Sequence, residues 1–268
     1  MTMKRSISIA ALLGVAFLSA CGDSAVQKIT TALPGSAIKF YNFGVCGTTQ
    51  TTTTSCMPSV NFYANDTKMT AISSTSGSES SLGTAYTAVG NGGFYSGIAP
   101  GQYAISARMS AAGPDKDAPV SNTPVTLEDG KSYSYYLSGF YNTTAKTVDS
   151  FIVEDPLPAV DFNTAYVRFV NAISNSNPMT LYVKNPTSGV ETAIGGETAY
   201  KNATPFVAIP GGPYDLSARY TGSATNVISR AAVGFSPGRV YTISARGDIT
   251  ITSTTAINRP FLDNTTNR

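Results

Sequence analysis

An eleven-residue segment occurs twice in this chain and constrains its fold more than any other feature. The first occurrence, Ile98–Arg108, reads IAPGQYAISAR, and the second, Ile209–Arg219, reads IPGGPYDLSAR, aligned without a gap. In both, a turn containing Gly and Pro is followed by alternating apolar and polar residues, a pattern typical of a half-buried strand. The expected buried faces are Tyr103, Ile105 and Ala107 in the first repeat and Tyr214, Leu216 and Ala218 in the second.

Other segments match in the same order around this strand. Ala37–Asn42 matches Tyr166–Asn171, and Gly130–Gly139 matches Gly238–Gly247. An apolar segment ending in Asp closes each repeat, at Asp155 in the first and Asp263 in the second. Short apolar segments at regular spacing with turn residues between them predict an all-β fold, two tandem antiparallel β-sandwiches of about seven strands each.

The residues before the first repeat are typical of an export signal. Lys4 and Arg5 precede an apolar run that is shorter than the ~20 residues of a membrane-spanning helix. The next residues, Leu18–Cys21, resemble the lipobox of bacterial lipoproteins. That resemblance implies cleavage before Cys21 and attachment of acyl chains to it, and Gly22 at the following position implies the outer membrane, with the face left open. The alternative is an ordinary signal peptide followed by a stray cysteine.

These features divide the chain into five segments. They are a lipoprotein signal peptide at 1–20, a lipidated tether at 21–35, a first sandwich at 36–157, a linker at 158–164 and a second sandwich at 165–264.

The other two cysteines are expected to pair with each other. If Cys21 is acylated, Cys46 and Cys56 remain, and they bracket a short polar loop. A disulfide closing that loop suits an exported protein. A metal-binding or redox pair is the alternative, but neither His nor acidic residues lie nearby to support it.

Composition excludes several functions. The chain has no histidine, so Ser-His and Cys-His catalysis and imidazole zinc sites are excluded. Removing Lys4 and Arg5 with the signal leaves 18 − 2 = 16 basic against 16 acidic residues. A neutral chain has no electrostatic footprint for nucleic acid. We expect no nucleic-acid partner, no metal and no cofactor.

Two motifs resemble catalytic ones without their context. Gly234-Phe-Ser-Pro-Gly238 matches a nucleophile elbow, but a strand rather than a helix follows it, so a hairpin turn is expected. Ser36 and Lys39 have the Ser-x-x-Lys spacing, but residues three apart on a strand point to opposite faces. An enzyme using carboxylates alone stays formally open, although the candidate acids do not recur as an inward pair: Glu79, Glu128, Glu154, Asp155, Glu191 and Glu197.

Tyr136 is the candidate contact residue. It lies in the aromatic stretch Tyr133–Tyr141, where Tyr133, Tyr135 and Leu137 are expected to face the core. Tyr136 then faces outward, where it could stack on a sugar or anchor a protein partner. An ordinary surface tyrosine is the alternative. Alternation places Lys39 on an outer face too, with Arg168 at the matching position.

Behind a lipobox, two copies of the strand that reads Pro-Gly-x-Tyr at residues 100–103 resemble a family of Gram-negative lipoproteins with tandem domains of unknown function. The resemblance implies immunoglobulin-like sandwiches, similar to transthyretin-like and collagen-adhesin B-type modules, and carries over no catalytic residue. We expect a non-catalytic lipoprotein of the cell envelope, acting as a structural, adhesive or partner-binding module attached to the bilayer through acylated Cys21. The alternative is a carbohydrate-binding module for envelope or extracellular polysaccharide.

Overall fold

The computed structural model describes residues 35–46, 57–70, 83–111 and 114–268. Gly35–Arg268 forms one compact unit. Its described parts are built from β-strands and one short 3-10 turn at Gly90–Gly93. Among the described residues, no helix has the length and apolar character needed to cross a bilayer.

In the described residues, each repeat contains eight strands. The first contains β1 Ser36–Asn42, β2 Val60–Ala64, β3 Thr67–Lys68, β4 Ser96–Ile98, β5 Gly101–Met109, β6 Pro119–Leu127, β7 Ser132–Asn142 and β8 Thr147–Glu154. The second contains β9 Thr164–Asn171, β10 Met179–Lys184, β11 Glu191–Thr198, β12 Val207–Pro210, β13 Gly212–Tyr220, β14 Asn226–Phe235, β15 Val240–Arg246 and β16 Phe261–Thr266. Strand β16 therefore runs past residue 264, the predicted end of the second sandwich.

The strands form two tandem β-sandwiches, as the sequence predicts. The first pairs a sheet of order β4-β1-β7-β8 with one of order β3-β2-β5-β6, and the second pairs β12-β9-β15-β16 with β11-β10-β13-β14. The two orders are the same, strand for strand. The expected number of about seven strands was too low because strands as short as β3 and β4 contain no detectable alternation.

The strand part of the repeated eleven-residue segment forms β5 and β13, and its apolar face lies in the core. Ile105 and Ala107 are fully buried, as is Ala218, with Leu216 nearly so. The tyrosine also stabilises the turn that precedes its strand, since the hydroxyl of Tyr103 donates to Ala99 O at 3.0 Å. In the second repeat the hydroxyl of Tyr214 donates to Pro210 O at 2.9 Å. The motif therefore recurs because it builds both a strand and the turn before it.

Strand pairing also shows which positions are equivalent between the repeats. Ile38 pairs with Tyr133, and Val167 pairs with Tyr241. In the closing strands, Asp155 N donates to Ser132 O and Asn267 N donates to Val240 O. The counterpart of Asp155 is therefore Asn267. The match of Asp155 with Asp263 in the sequence was wrong, because both aspartates end an apolar run but stand at different registers.

Candidate functional site

The most distinctive group of side chains lies between the two sandwiches, where the outer faces of sheets β4-β1-β7-β8 and β12-β9-β15-β16 pack together. We call this contact the junction. At its centre Arg168 Nη2 forms an ion pair with Asp155 Oδ1, and both side chains are buried. Arg168 Nη1 also donates to Glu154 O at 2.9 Å, and Nε donates to Thr242 Oγ1 at 2.9 Å. This guanidinium of the second sandwich is therefore held largely by the last strand of the first.

The other oxygen of Asp155 is satisfied within the same network. Ser134 Oγ donates to Asp155 Oδ2 at 2.7 Å, and the hydroxyl of Tyr95 donates to it at 2.5 Å. Asn267 Nδ2 donates to the Tyr95 hydroxyl at 2.8 Å, which links the network back to the second sandwich. Burial and the neighbouring Asp155 carboxylate raise the pKa of Tyr95, so it stays a neutral donor.

Lys39 of the first sandwich contacts the last strand of the second, just as Arg168 of the second contacts the last strand of the first. Its Nζ donates to Thr266 O at 2.7 Å, and Thr266 is the counterpart of Glu154. Each cation also lies over an aromatic ring of its own sandwich, Lys39 at 4.4 Å from Tyr95 and Arg168 at 4.8 Å from Phe206. Reciprocal contacts of this kind define a pseudo-two-fold axis between the sandwiches.

The outward direction expected for Lys39 was right only with respect to its own sandwich. The side chain leaves the outer face of its sheet but is 1% exposed, because the second sandwich covers it. Burial lowers the pKa of the Lys39 ammonium to about 8, with Asp155 acting to raise it and Arg168 acting to lower it further. The hydroxyl of Ser36 instead donates to Glu128 O at 2.6 Å.

Tyr136 is not an exposed contact residue, and that prediction was wrong. It is fully buried, with its ring stacked between Tyr41, at 4.3 Å and 12°, and Phe151, at 4.9 Å and 11°. Its hydroxyl lies 3.4 Å from Ser244 Oγ, and Ser244 is its own counterpart in the second repeat. Contact between equivalent positions places Tyr136 at the pseudo-two-fold axis. Burial raises its pKa to about 12.

The order of these contacts gives the direction of the axis. Lys39 and Tyr41 lie in β1, and Phe43 comes directly after its last residue. These three positions meet the second sandwich in the same order. Lys39 contacts Thr266, which pairs with the start of β15. Tyr136, which pairs with Tyr41, contacts Ser244 in the middle of β15. The ring of Phe43 lies 6.0 Å from the guanidinium of Arg246 at the end of β15. Strands β1 and β9 therefore run the same way, and the axis runs along them.

The molecule consequently has two distinct ends. One end, where β1 and β9 begin, carries Gly35, the 156–163 linker and the β6–β7 and β14–β15 turns. We call it the tether end because the predicted tether, residues 21–35, finishes at Gly35. The opposite end, which we call the distal end, carries Cys46, the β7–β8 turn and the long connection 247–260 between β15 and β16. Cys46 is 3% exposed. Cys21 and Cys56 lie outside the described residues, so acylation and the Cys46–Cys56 pair stay predictions.

The long connection at the distal end joins the two sandwiches. The equivalent turn of the first repeat spans only 143–146, whereas Ile257 in the 247–260 connection packs against the hydrophobic core of the first sandwich. Asp248, at its start, is fully buried and accepts hydrogen bonds from Asn175 Nδ2 at 2.8 Å and from Thr250 N at 3.0 Å. This connection thus adds a second contact between the repeats.

A groove of about 490 Å³ opens beside the junction, between β8 and the 196–205 segment. Glu154, Glu197 and Lys201 lie along it, but each is engaged: Glu154 with Lys131 at 3.1 Å, Glu197 with the Thr221 hydroxyl, and Lys201 with Asp149 at 2.7 Å. In the part of the chain that the structure describes, no group of three or more His, Cys, Asp or Glu side chains could hold a metal ion. The Gly234–Gly238 motif forms the end of β14 and a hairpin turn, as expected.

The fold and the junction define the class of protein. It consists of two β-sandwiches that arose by duplication and are held together by a buried contact of polar and aromatic side chains. The chain belongs to the family described as domain of unknown function DUF4397, whose model matches residues 51–182 and again 165–267. Two matches agree with the duplication seen in the strands. The lipoprotein character and the immunoglobulin-like kinship go beyond what this family match shows.

Comparisons with other proteins add little. A search among curated proteins finds no similar sequence. One solved structure that matches is a leucine-rich repeat protein from Bacteroides thetaiotaomicron, at 14% identity and a TM-score of 0.20. The match covers 82% of this chain but only 26% of that protein. A TM-score this low does not show a shared fold.

Proposed function

We propose that the protein is a non-catalytic lipoprotein of the cell envelope that holds its distal end away from the membrane as a binding or adhesive surface. The observation that carries this proposal is the separation of the two ends. The chain enters the compact unit at Gly35 and crosses between sandwiches at 156–163, both at the tether end. Cys46 and the 247–260 connection, which has no equally long counterpart in the first repeat, lie at the distal end.

The junction supports a rigid display unit rather than two independent modules. A buried ion pair breaks at high cost, and the stacked rings of Tyr41, Tyr136 and Phe151 remove a large apolar area from water. A surface that draws on loops of both sandwiches keeps its shape only if the sandwiches do not move. Sandwiches of immunoglobulin-like kind commonly carry function on the loops at one end.

Attachment is tested first. Growing cells with a labelled fatty acid should label the protein and place it in the outer-membrane fraction, whereas Cys21→Ala should release it. The matched control is Cys46→Ala, which leaves the proposed lipid site intact. Membrane retention of the Cys21→Ala protein at the wild-type level would contradict the lipoprotein proposal.

The display surface is tested by crosslinking in intact cells. A photoreactive side chain at exposed Thr254 in the distal connection should capture a discrete partner, and one at Lys131 at the tether end should not. Equal capture from both positions would contradict a distal binding surface. Protease treatment of intact cells, with and without opening of the outer membrane, determines which face the sandwiches occupy.

Polysaccharide binding remains a second proposal, but it no longer involves Tyr136. The exposed tyrosine that motivated it is buried in the junction, so glycan binding would have to use the distal loops. Binding across a glycan panel that survives Tyr136→Phe and is lost when residues 252–255 are replaced by glycines would support it. Absence of binding across the panel would count against it.

A further inference from the structure

The tether end carries two exposed apolar side chains that the junction does not use. Phe162 is 82% exposed and Val160 is 52% exposed, and both lie in the linker just before β9. The Phe162 ring rests beside the β14–β15 turn, because a Cβ atom added to Gly238 would lie 3.3 Å from its Cδ1. The ring therefore has a defined position at the rim of the second sandwich.

We propose that Phe162 and Val160 enter the interfacial region of the bilayer to which the lipid anchor attaches the chain. The body then stands on the membrane on its tether end, with the distal end facing away. This inference rests on the acylation of Cys21 proposed above, and it adds a second, protein-mediated contact with the same membrane.

The position of Gly35, where the chain enters the compact unit, favours the bilayer as the surface that Phe162 and Val160 contact. Cys21 and Gly35 are separated by 35 − 21 = 14 residue steps, which span at most roughly 50 Å when extended. Gly35 lies at the same end as Phe162, since β1 and β9 begin together. A body held by so short a tether meets the bilayer at a high effective concentration, so a weak apolar contact suffices.

The charges at this end indicate a hydrophobic rather than an electrostatic contact. Lys131 forms ion pairs with Glu128 at 3.0 Å and with Glu154 at 3.1 Å. Asp129 accepts a hydrogen bond from Gly35 N, and Arg239 is exposed nearby. With Asp161 between the two apolar residues, acidic groups outnumber basic ones at this end, so we expect the contact to depend on apolar burial and not on attraction to anionic lipid. Burying one phenylalanine favours the docked arrangement by about ten- to a hundredfold.

Phe94 provides a matched control. It is 76% exposed, close to the value for Phe162, but it precedes β4 on the flank of the first sandwich. Ser96 two residues later pairs with Ile38, which places Phe94 beside the middle of β1 rather than at its start. A body standing on its tether end keeps Phe94 in water.

The chain contains no tryptophan, so a single indole reports its own surroundings. The Phe162→Trp and Phe94→Trp proteins, produced with the full export signal, would be reconstituted in phosphatidylcholine vesicles with and without brominated acyl chains. We expect bromolipid to quench the Phe162→Trp emission at least twofold and to shift it to the blue, with Phe94→Trp unchanged. Equal quenching of both, or quenching of neither, would overturn the inference.

Flotation of the same vesicles separates this outcome from failure of the anchor. Protein that floats while the Phe162→Trp indole stays in water keeps its anchor and loses the proposed contact. Protein that does not float contradicts acylation itself. As a second variant, the Cys21→Ala protein should bind these vesicles weakly, and Phe162→Ser should reduce that binding at least tenfold while Phe94→Ser does not; equal loss from both would count against the contact.

Discussion

The two halves of the junction occupy equivalent positions but use different side chains. Lys39 corresponds to Arg168, Asp155 to Asn267, Tyr41 to Val170 and Tyr136 to Ser244. The first sandwich thus supplies the large rings and the carboxylate, and the second supplies small side chains and the guanidinium. Two copies of the first face would bring two Tyr136 rings together on the axis and leave two carboxylates side by side.

This difference shows what duplication within one chain permits. In a homodimer each face must complement itself, because every side chain occurs on both sides of the axis. Once the repeats are covalently joined, one face can become bulky where the other becomes small, and a single strong ion pair can replace two weaker contacts. The backbone frame stays symmetric while the side chains specialise.

The largest effect is expected from removing the ring at the axis. Tyr136→Ala deletes the side chain stacked between Tyr41 and Phe151, and it should lower the free energy of unfolding by about 3 to 5 kcal/mol. Urea unfolding followed by circular dichroism measures the loss. Phe94→Ala, which removes an exposed ring, is the control and should change stability by less than about 0.5 kcal/mol.

Replacing Asp155 by asparagine, the residue at its counterpart Asn267, should lower the free energy of unfolding almost as much. Asp155→Asn retains acceptors for Ser134 and Tyr95 but leaves the buried Arg168 without a counter-charge, so we expect a loss of about 3 kcal/mol. The comparison variant is Asp66→Asn, whose carboxylate is 98% exposed beside Arg108 and should matter little. Equal small losses would show that the junction does not depend on its ion pair.

Because the first sandwich has a lysine, Lys39, where the second has Arg168, we expect the free energy of unfolding to depend on pH. The Lys39 pKa is about 8 in the folded protein and 10.5 in the unfolded chain, so between these values the unfolded state binds more protons. Stability should therefore rise with pH from about 8 to 10, by about 2 kcal/mol in total, before the buried tyrosines reverse the trend. Lys39→Met should remove the rise, and exposed Lys184→Met should not.

The smallest expected effect concerns the connection present in only one repeat. Ile257→Ala removes a partly buried side chain from the core of the first sandwich and should lower stability by about 1 kcal/mol. Denaturant unfolding against wild type gives the value, and Ile251→Ala in the same connection serves as control. A loss equal to that of the control would show that the connection does not support the first sandwich.

Sequence patterns predicted much of the fold because each sandwich obeys local rules. Alternation along β5 and β13 identifies the buried faces, and the turns between strands are marked by Gly and Pro. The weak points were short strands and the closing register, where Asp155 and Asp263 look alike but sit four residues apart in the ladder. A signal for the junction did exist, since both repeats keep a cation on the outer face of an otherwise apolar strand.

The sequence by itself therefore determined the duplicated sandwich, the alternation of each strand and the residues available to each face. Only the tertiary structure decided that the outer faces of β1 and β9 are interior to the molecule. The physical reason is that alternation reports which side of one sheet a residue faces, whereas burial depends on what packs against that side. For Lys39 and Tyr136 the covering surface comes from residues more than a hundred positions away in the chain.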